Sequence, residues 1–335
     1  MRIHHMNKKI VLSGTQPSGE LHIGNYLGAL KNWVALQDKY ECFFFIADYH
    51  SLSENYNPKE KARQILDLAI DYLAAGIDPK KCAIFVQSDV PECAELAWIF
   101  NTITPVAYLE RMTQYKDKAL KQEQNINMAL LDYPVLQAAD ILMYNADFVP
   151  VGNDQDQHVE LTRTIARFFN NRFGETFKEP EGLHSSAPRI MSLTAPSKKM
   201  SKSDASGSYI ALTDSPEEIT KKIKRATTDI GEKAEGAGIS GGENLLALLD
   251  YVSDNKDRIR DFVSEYKNGS LKYSELKPFL AEEIIKMLAP IQERRKKLEK
   301  DIDYVRSVLE NGANKARKIA KETMEVVKKK VGVRY

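Results

Sequence analysis

The sequence predicts an α/β fold with a parallel sheet, followed by an all-helical C-terminal region. In the first two-thirds of the 335 residues, short β-rich runs alternate with longer helical patterns, which is typical of parallel strands joined by crossover helices. After the polar stretch 196–208, helical periodicity continues without a clear strand. We therefore expect an α/β body over residues 1–205 and a helical region over 206–335.

Strands and helices alternate regularly in the α/β body. Strands are predicted at the apolar, β-rich runs 9–12, 42–47, 83–87, 147–151 and 190–193, and helices at the 3.6-residue patterns 23–36, 58–75, 93–102, 134–144 and 157–169. In the C-terminal region, Ser215 and Glu218 form a capping-box pattern around Pro216, which predicts a helix that reaches Arg225. Five glycines over 231–242 predict a loop, and helices follow at 245–252, 257–266, 273–288, 291–309 and 313–331.

Composition excludes several classes of protein. A hydrophobic fraction of 43% is enough for a sizeable core. The apolar runs 42–47 and 83–86 are far shorter than the ~18 residues that a membrane-spanning helix needs, and the N-terminus lacks the apolar stretch of a secretory signal, so we predict no membrane span and no export. Cys42, Cys82 and Cys93 lack metal-ligand spacing, which predicts reduced thiols in a cytoplasmic protein.

Charge is uneven along the chain, although its formal net value is only +1. Residues 286–335 hold 15 Lys and Arg against 7 Asp and Glu, a local charge of +8. Such a basic tail is typical of a protein with a polyanion partner, above all nucleic acid. It is equally typical of a solvated amphipathic helix, and charge alone does not separate the two.

The first chemical motif spans residues 12–25, where the first strand turns into a helix. Its small residues let the backbone approach a ligand, and His22 and Asn25 lie about one turn apart near the helix start. Free amide donors and the positive end of the helix dipole suit a phosphate at this place. The motif has neither Walker A nor Gly-x-Gly-x-x-Gly spacing.

The second motif is Ser197-Lys198-Lys199-Met200-Ser201-Lys202-Ser203, directly after the last predicted strand. Three lysines with interleaved serines on a loop can close over a polyphosphate and stabilise charge on a departing pyrophosphate. A solvated linker has a similar composition. The presence of the first motif favours the phosphate interpretation.

Together the two motifs resemble the HIGH and KMSKS signatures of the class I aminoacyl-tRNA synthetases, which implies a Rossmann-like catalytic domain. Further segments are similar to the bacterial tryptophan–tRNA ligase family: 16–19, 25–30, 111–118, Tyr133-Pro134 with 138–142, 149–152 with Asp154-Gln155, and Gln157-His158. The resemblance implies ATP-dependent activation of L-tryptophan to tryptophanyl-adenylate, then transfer to tRNA(Trp). Because the substrate carboxylate is the nucleophile, the enzyme needs positioning and charge stabilisation and no covalent residue.

The resemblance also implies roles for individual residues. Catalytic roles fall to His22, Asn25, Lys118, Lys199 and Lys202. Contacts to ATP fall to Gln16, Ser18, Gly24, Asn25, Gly152, Asp154, Ile190, Lys199, Met200, Ser201 and Lys202. Mg²⁺ is expected to arrive with ATP, and we predict no dedicated metal site and no tightly bound cofactor. The expected partners are ATP, L-tryptophan, tRNA(Trp) and a second copy of the chain, with the homodimer interface in 94–169 and anticodon recognition in 206–335.

Selection of the amino acid can be argued from residues 133–140. Pro134 is predicted at the first helical position, and the spacing places Tyr133, Gln137 and Asp140 on one helix face. A buried carboxylate at Asp140 needs a donor, and the indole N–H of tryptophan can only donate. A site built on such a hydrogen bond rejects analogues that lack the donor. With the resemblance, the tryptophan-binding residues are Gln16, His50, Tyr133, Gln137, Asp140 and Gln155.

Two alternatives stay open beside a small-molecule nucleotidyltransferase with a similar first motif, which would not need a basic helical region after the second motif. Gln137 stands where the family commonly carries methionine, and a second polar group beside Asp140 would suit a phenol hydroxyl, so tyrosine–tRNA ligase is the first alternative. A non-catalytic, synthetase-like RNA-binding paralogue is the second. Such a binder would have no need of both phosphate motifs, and their intact residues favour an enzyme.

Overall fold

The computed structural model describes residues 8–116, 126–152, 155–184, 189–202, 204–229 and 240–334. At its centre lies a sheet of five strands: β1 (Ile10–Thr15), β2 (Glu41–Ile46), β3 (Cys82–Val86), β4 (Phe148–Val151) and β5 (Glu181–His184). All neighbours pair in parallel, in the order β3-β2-β1-β4-β5. The predicted parallel sheet is confirmed. The chain adds strands on one side of β1 and then on the other, so the switch point that open α/β sheets use for ligands lies between β1 and β4.

Helices cover the sheet and build the C-terminal region. A π-helical turn, Tyr26–Leu30, joins the first two helices without a break. In the described part of the body, the helices are α1 (Ile23–Asn25), α2 (Lys31–Leu36), α3 (Pro58–Ala75), α4 (Glu92–Asn101), α5 (Val106–Glu110), α6 (Met128–Met143) and α7 (Asp156–Phe173). The C-terminal ones are α8 (Pro216–Arg225), α9 (Gly241–Val252), α10 (Lys256–Lys267), α11 (Tyr273–Leu298) and α12 (Ile302–Val331). Across the described ranges, no helix is both long and apolar enough to cross a bilayer.

The prediction of a strand at 190–193 is wrong. The fifth strand is β5, whose residues are exposed or half-buried at the sheet edge and therefore carry no apolar pattern. Ile190 and Leu193 are buried in a cluster that includes the C-terminal helices. Met191 forms only an isolated antiparallel bridge, to Lys199. The apolar pattern at 190–193 thus indicated burial correctly, but the burial is not in the sheet.

Three predicted helix boundaries are also wrong: the start at Pro134 and the breaks after residues 288 and 309. Helix α6 begins at Met128, where the Asn127 side chain accepts from the Leu130 N–H, so Pro134 lies inside the helix and not at its first position. In the C-terminal region, the three helices predicted over 273–331 form two helices in the structure. Helix α11 continues through Pro290 and α12 continues through Gly312. Tertiary packing overrides the local preference of proline and glycine to end a helix. The five-glycine segment is described only from residue 240, and Gly241 and Gly242 open α9.

Gly312 is required by a close approach of α12 to the edge of the sheet. A Cβ at this position would collide with the backbone carbonyl of Ile84 in β3. The first part of α12 packs into the apolar cluster on one face of the sheet, through Val305 and Leu309, and its later part packs into the cluster on the other face. Helix α12 therefore wraps around β3 and covers a strand edge that would otherwise be open to pairing.

The two apolar clusters follow the alternation of side chains along the strands. In β2, Cys42, Phe44 and Ile46 face one cluster and Phe43 and Phe45 face the other. The first cluster extends from α2 and α3 to α8–α11, and the second holds α4, α6, α7 and the end of α12. As predicted, all three cysteines are free and buried. The division into domains at residue 205 stays a prediction.

Candidate active site

A cavity of about 260 Å³ lies at the switch point of the sheet. Its walls come from β1 and β4, from the end of β2 and from the facing sides of α6 and α7. Such a partly apolar cleft with a few converging polar groups is the usual form of a small-molecule site. The predicted amino-acid-binding residues all line it: Gln16, His50, Tyr133, Gln137, Asp140 and Gln155.

The Asp140 carboxyl group lines this cavity and is buried, with 2% of its surface exposed. The His50 Nε2 lies 2.8 Å from its Oδ2. The Gln87 side-chain amide donates to both carboxylate oxygens, at 2.9 Å to Oδ1 and 2.8 Å to Oδ2. The buried Cys93 thiol is a further hydrogen-bond partner of Asp140. A carboxylate has about four acceptor positions, so these contacts stabilise it in the interior.

Tyr133 contributes a hydroxyl to the wall beside Asp140. Its OH lies 3.0 Å from the His158 Nε2, and its ring meets the His50 ring edge-on, with centroids 6.4 Å apart. Burial raises the pKa of Tyr133 to about 12, so the phenol stays protonated and can both donate and accept. His158 is itself buried on α7. Tyr133 and His158 together form part of one wall of the cavity.

The first motif is held by a reciprocal cap at the start of α1. The His22 Nδ1 accepts from the Gly24 N–H at 3.1 Å, while the Asn25 Oδ1 accepts from the His22 N–H at 3.0 Å. Because Nδ1 accepts, a neutral His22 carries its proton on Nε2, which is then free to donate to a ligand. A Cβ on Gly24 would press into the His22 ring, so the position two residues after His22 requires a residue without a side chain.

Burial and two lysines keep His22 neutral. The imidazole is 6% exposed, and desolvation, with the charges of Lys202 and Lys199, lowers the pKa of His22 to about 4. The predicted phosphate-binding histidine thus acts as a hydrogen-bond donor without a charge of its own. The positive charge of the site comes from the lysines.

The lysine loop, residues 197–202, lies against the first motif. The Lys202 Nζ donates to the Ser18 Oγ at 2.6 Å. The Met200 N–H donates to the carbonyl of Ile190 at 2.9 Å, and both side chains are buried beneath the loop. Lys199 is exposed, and Ser201 is half-buried. The structure thus joins the two motifs into one surface rich in donors.

Of the remaining predicted ATP residues, only Gly152 lies within the described residues. Gly152 follows this strand, and its carbonyl accepts from the Gln155 N–H at 2.9 Å. Asp154 and Lys118 lie outside the described residues, and their roles stay predictions. Within the described ranges no group of three or more His, Cys, Asp or Glu side chains could hold a metal ion.

Comparison with known proteins identifies the family. Residues 5–289 match the tRNA synthetases class I (W and Y). The chain is 46% identical over 330 residues to the tryptophan–tRNA ligase of Clostridium acetobutylicum, with 97% of each chain covered. The chain belongs to the tryptophan–tRNA ligase family. The family member of Wolinella succinogenes is also 46% identical, with 98% of this chain and 100% of that protein covered.

Solved structures agree with this assignment. Tryptophanyl-tRNA synthetase from Campylobacter jejuni, complexed with ADP and tryptophan, has a TM-score of 0.84 at 36% identity and covers 96% of this chain and 99% of its own. The same enzyme from Mycoplasma pneumoniae has a TM-score of 0.84 at 34% identity, covering 97% and 98%. Tyrosyl-tRNA synthetase from Archaeoglobus fulgidus, at 23% identity and a TM-score of 0.67, shares the fold.

Several residues of this tryptophan–tRNA ligase family member were missed by sequence reasoning. Gln87 follows β3 directly, and the rule that ligands gather at the carboxyl ends of parallel strands could have found it. Gln114 and His158 line the cavity and lay in segments that carried the resemblance, but no role was assigned to them. Lys61, on α3, contacts the first motif, and no local pattern signals this because 44 residues separate the partners.

Proposed function

We propose that this chain is a catalytically active tryptophan–tRNA ligase. In the first step an oxygen of the tryptophan carboxylate bonds to the α-phosphorus of ATP, and the bond from this phosphorus to pyrophosphate breaks. In the second step a hydroxyl of the terminal ribose of tRNA(Trp) attacks the activated carbonyl, and AMP leaves. The observation that carries the proposal is the buried Asp140 carboxylate in a cavity beside the two joined phosphate motifs.

Asp140 selects the indole. A carboxylate held by Gln87 and His50 can accept the indole N–H, and the apolar wall of Ile141, Val149 and Val151 suits the rings. A ligand without a donor would leave the carboxylate underpaired, which costs binding energy. Gln137 lines the same cavity, and we assign it a contact to the ligand. Tyrosine is the less supported substrate, because relatives that are 46% identical over nearly the full length are tryptophan–tRNA ligases.

Adenylate formation relies on position and charge. His22 and Asn25 donate to the phosphates near the reacting phosphorus, and Lys199 and Lys202 stabilise the charge that develops on pyrophosphate. Tyr133 and Gln155 hold the amino and carboxylate ends of tryptophan, and Gln16 and Gly24 bring the backbone close to ATP. We assign Lys118 to the phosphates and Asp154 to the ribose hydroxyls. Mg²⁺ enters bound to ATP as part of the substrate.

A homodimer is supported by exposed apolar side chains within 94–169. Trp98 on α4 is 72% exposed and Met128 on α6 is 75% exposed. Val106, Tyr108 and Ile126 add further exposed apolar surface in the same part of the chain. Exposed large apolar residues that concentrate in one segment support an interface there. We propose that a second copy of the chain covers them.

Binding of tRNA(Trp) is supported by basic side chains of the C-terminal region. Several lysines and arginines of 286–335 are engaged within the chain, among them Arg295 with Asp71 and Lys328 with Glu95. Others, including Lys318 and Lys321 on α12, are exposed and available to phosphates. We propose that 206–335 recognises the anticodon and that the protein works in the cytoplasm, where its free thiols stay reduced.

Charging of purified tRNA(Trp) with labelled tryptophan tests the proposal. We expect esterified tryptophan to accumulate only with ATP and Mg²⁺, and labelled tyrosine with tRNA(Tyr) to give background counts. Charging of tRNA(Tyr) with tyrosine would change the assignment to tyrosine–tRNA ligase. No charging by a folded protein would contradict an active ligase.

A further inference from the structure

Lys61 is a cation placed against the first motif from outside it. It lies in the first turns of α3, and its Nζ donates to the carbonyl of Pro17 at 3.2 Å and to the Ser51 Oγ at 3.0 Å. Its ammonium group also lies 5.1 Å from the centre of the Tyr56 ring. The contact spans two loops, one after β1 and one after β2, which both contribute to the active-site cavity.

Lys61 and Lys202 hold neighbouring residues of one turn. Lys61 binds the carbonyl of Pro17 and Lys202 binds the hydroxyl of Ser18, in the turn 16–19 that follows β1. Gly19 closes this turn with φ of +113°, and a Cβ there would lie 3.7 Å from the Lys202 Nζ. Two lysines from distant elements therefore fix a short segment that the first motif uses to approach phosphate.

The two ammonium groups also interact with each other. The charge of Lys61 is among the causes that lower the pKa of Lys202, after burial, and burial lowers the pKa of Lys61 as well. The carboxylate of Glu54 acts on both lysines in the opposite direction. Glu54, together with Asp48 at Lys61, offsets part of this repulsion, and an anionic ligand would offset more of it. A polyphosphate is the anion that this place would attract.

We propose that Lys61 is a positioning residue for ATP, holding the turn 16–19 through the Pro17 carbonyl and adding a further positive charge to those of the phosphate-binding lysines. The ligand class is a polyphosphate, as the triphosphate of ATP or as pyrophosphate. This inference rests on the proposed ligase activity and names a residue outside both signatures. It places the effect of Lys61 on the nucleotide side of the reaction and not on the tryptophan side.

The variant Lys61→Met tests the proposal, with Lys59→Met as the matched control, because Lys59 is exposed two residues earlier on the same helix. Kinetics of tryptophan-dependent ATP/pyrophosphate exchange give KM for ATP and for tryptophan separately. For Lys61→Met we expect KM for ATP to rise about tenfold, the effect of losing one charge-assisted hydrogen bond. The KM for tryptophan should match the wild type, Lys61→Arg should recover part of the loss, and Lys59→Met should behave as wild type.

A binding readout separates this inference from the ligase activity. MgATP alone should raise the Tm of the wild type, and Lys61→Met should lose most of that rise while keeping its ligand-free Tm. An unchanged KM for ATP and an unchanged rise in Tm would overturn the proposal, and so would an equal increase in both KM values. If Lys61→Met does not fold, Ser51→Ala, which removes one Lys61 acceptor, should raise KM for ATP more weakly. If the wild type shows no exchange, the ligase proposal fails, and the MgATP shift alone decides the role of Lys61.

Discussion

The side-chain amide of Gln87 bridges both carboxylate oxygens of Asp140 at 2.9 and 2.8 Å, deep beneath the amino-acid cavity. Gln87 comes from the end of β3 and Asp140 from α6, so the contact ties the sheet to the helix that forms the cavity wall. It orients the carboxylate and satisfies part of its hydrogen-bonding capacity, while the His50 Nε2 lies at Oδ2. Gln87 is therefore a positioning residue for the Asp140 carboxylate.

Replacing Gln87 with methionine should weaken tryptophan binding. The variant keeps the side-chain volume but removes the donor, so Asp140 loses an interaction worth about 1.5–3 kcal/mol for a bond to a charged group. We expect KM for tryptophan in the exchange assay to rise at least about tenfold, with KM for ATP unchanged. Equal changes in both constants would contradict a role limited to the Asp140 side of the site.

Acidification should destabilise the protein through His22. Its folded-state pKa of about 4 lies below the ordinary value of 6.5, so the unfolded chain takes up the proton first as pH falls. The contribution of His22 to the free energy of unfolding is complete above about pH 6.5 and is reduced by about 2 kcal/mol at about pH 5.

The variant His22→Asn isolates this effect, because asparagine also serves as an N-cap but does not titrate. Urea unfolding at several pH values should show a steeper loss of stability for the wild type than for the variant between about pH 7 and pH 5. Parallel curves for the two proteins would show that His22 is not held neutral by its surroundings.

Gly312→Ala should destabilise the fold because its Cβ would collide with the Ile84 carbonyl. Neither the strand nor the helix can move without disturbing the two clusters that α12 joins, so we expect a loss of about 1–3 kcal/mol in the free energy of unfolding. Gly207 is the control, since a Cβ there would meet no atom within 4 Å. A variant Gly312→Ala as stable as Gly207→Ala would contradict the close approach.

The proposed dimer makes a prediction about Trp98. A charged residue at this exposed position should leave the monomer fold intact but oppose burial in an interface. We expect wild-type protein to sediment as a dimer and Trp98→Glu to sediment as a monomer with an unchanged circular dichroism spectrum. Tyr304→Glu, another exposed aromatic position outside 94–169, should remain dimeric. A monomeric wild type would contradict the proposed assembly.

The helix face around Asp140 was predictable because it depends on local spacing. Tyr133, Gln137 and Asp140 share one side of any helix that contains them, and all three line the cavity. The start of that helix was not predictable from Pro134, because the cap at Asn127 lies further upstream. Local pattern thus placed the functional side chains but misplaced the boundary of their element.

Long-range contacts explain what sequence reasoning missed. The bond from Gln87 to Asp140 joins residues 53 apart, and nothing near either residue indicates the other. Gly312 lies in the predicted break between two helices, because glycine is a poor helix former. In the structure, its lack of a side chain lets α12 pack against the backbone of β3. β5 has no apolar signal because it lies at the edge of the sheet. Each of these features is a property of packing between elements.

Amino-acid-dependent ATP/pyrophosphate exchange, measured with tryptophan and with tyrosine on the wild type and on Asp140→Asn, tests the central claim most directly. We predict exchange with tryptophan only. Asp140→Asn should reduce kcat/KM for tryptophan by about a hundredfold or more, since the buried acceptor for the indole N–H loses its charge. Exchange driven by tyrosine, or full tryptophan activity in Asp140→Asn, would contradict the assignment of Asp140 as the residue that selects the substrate.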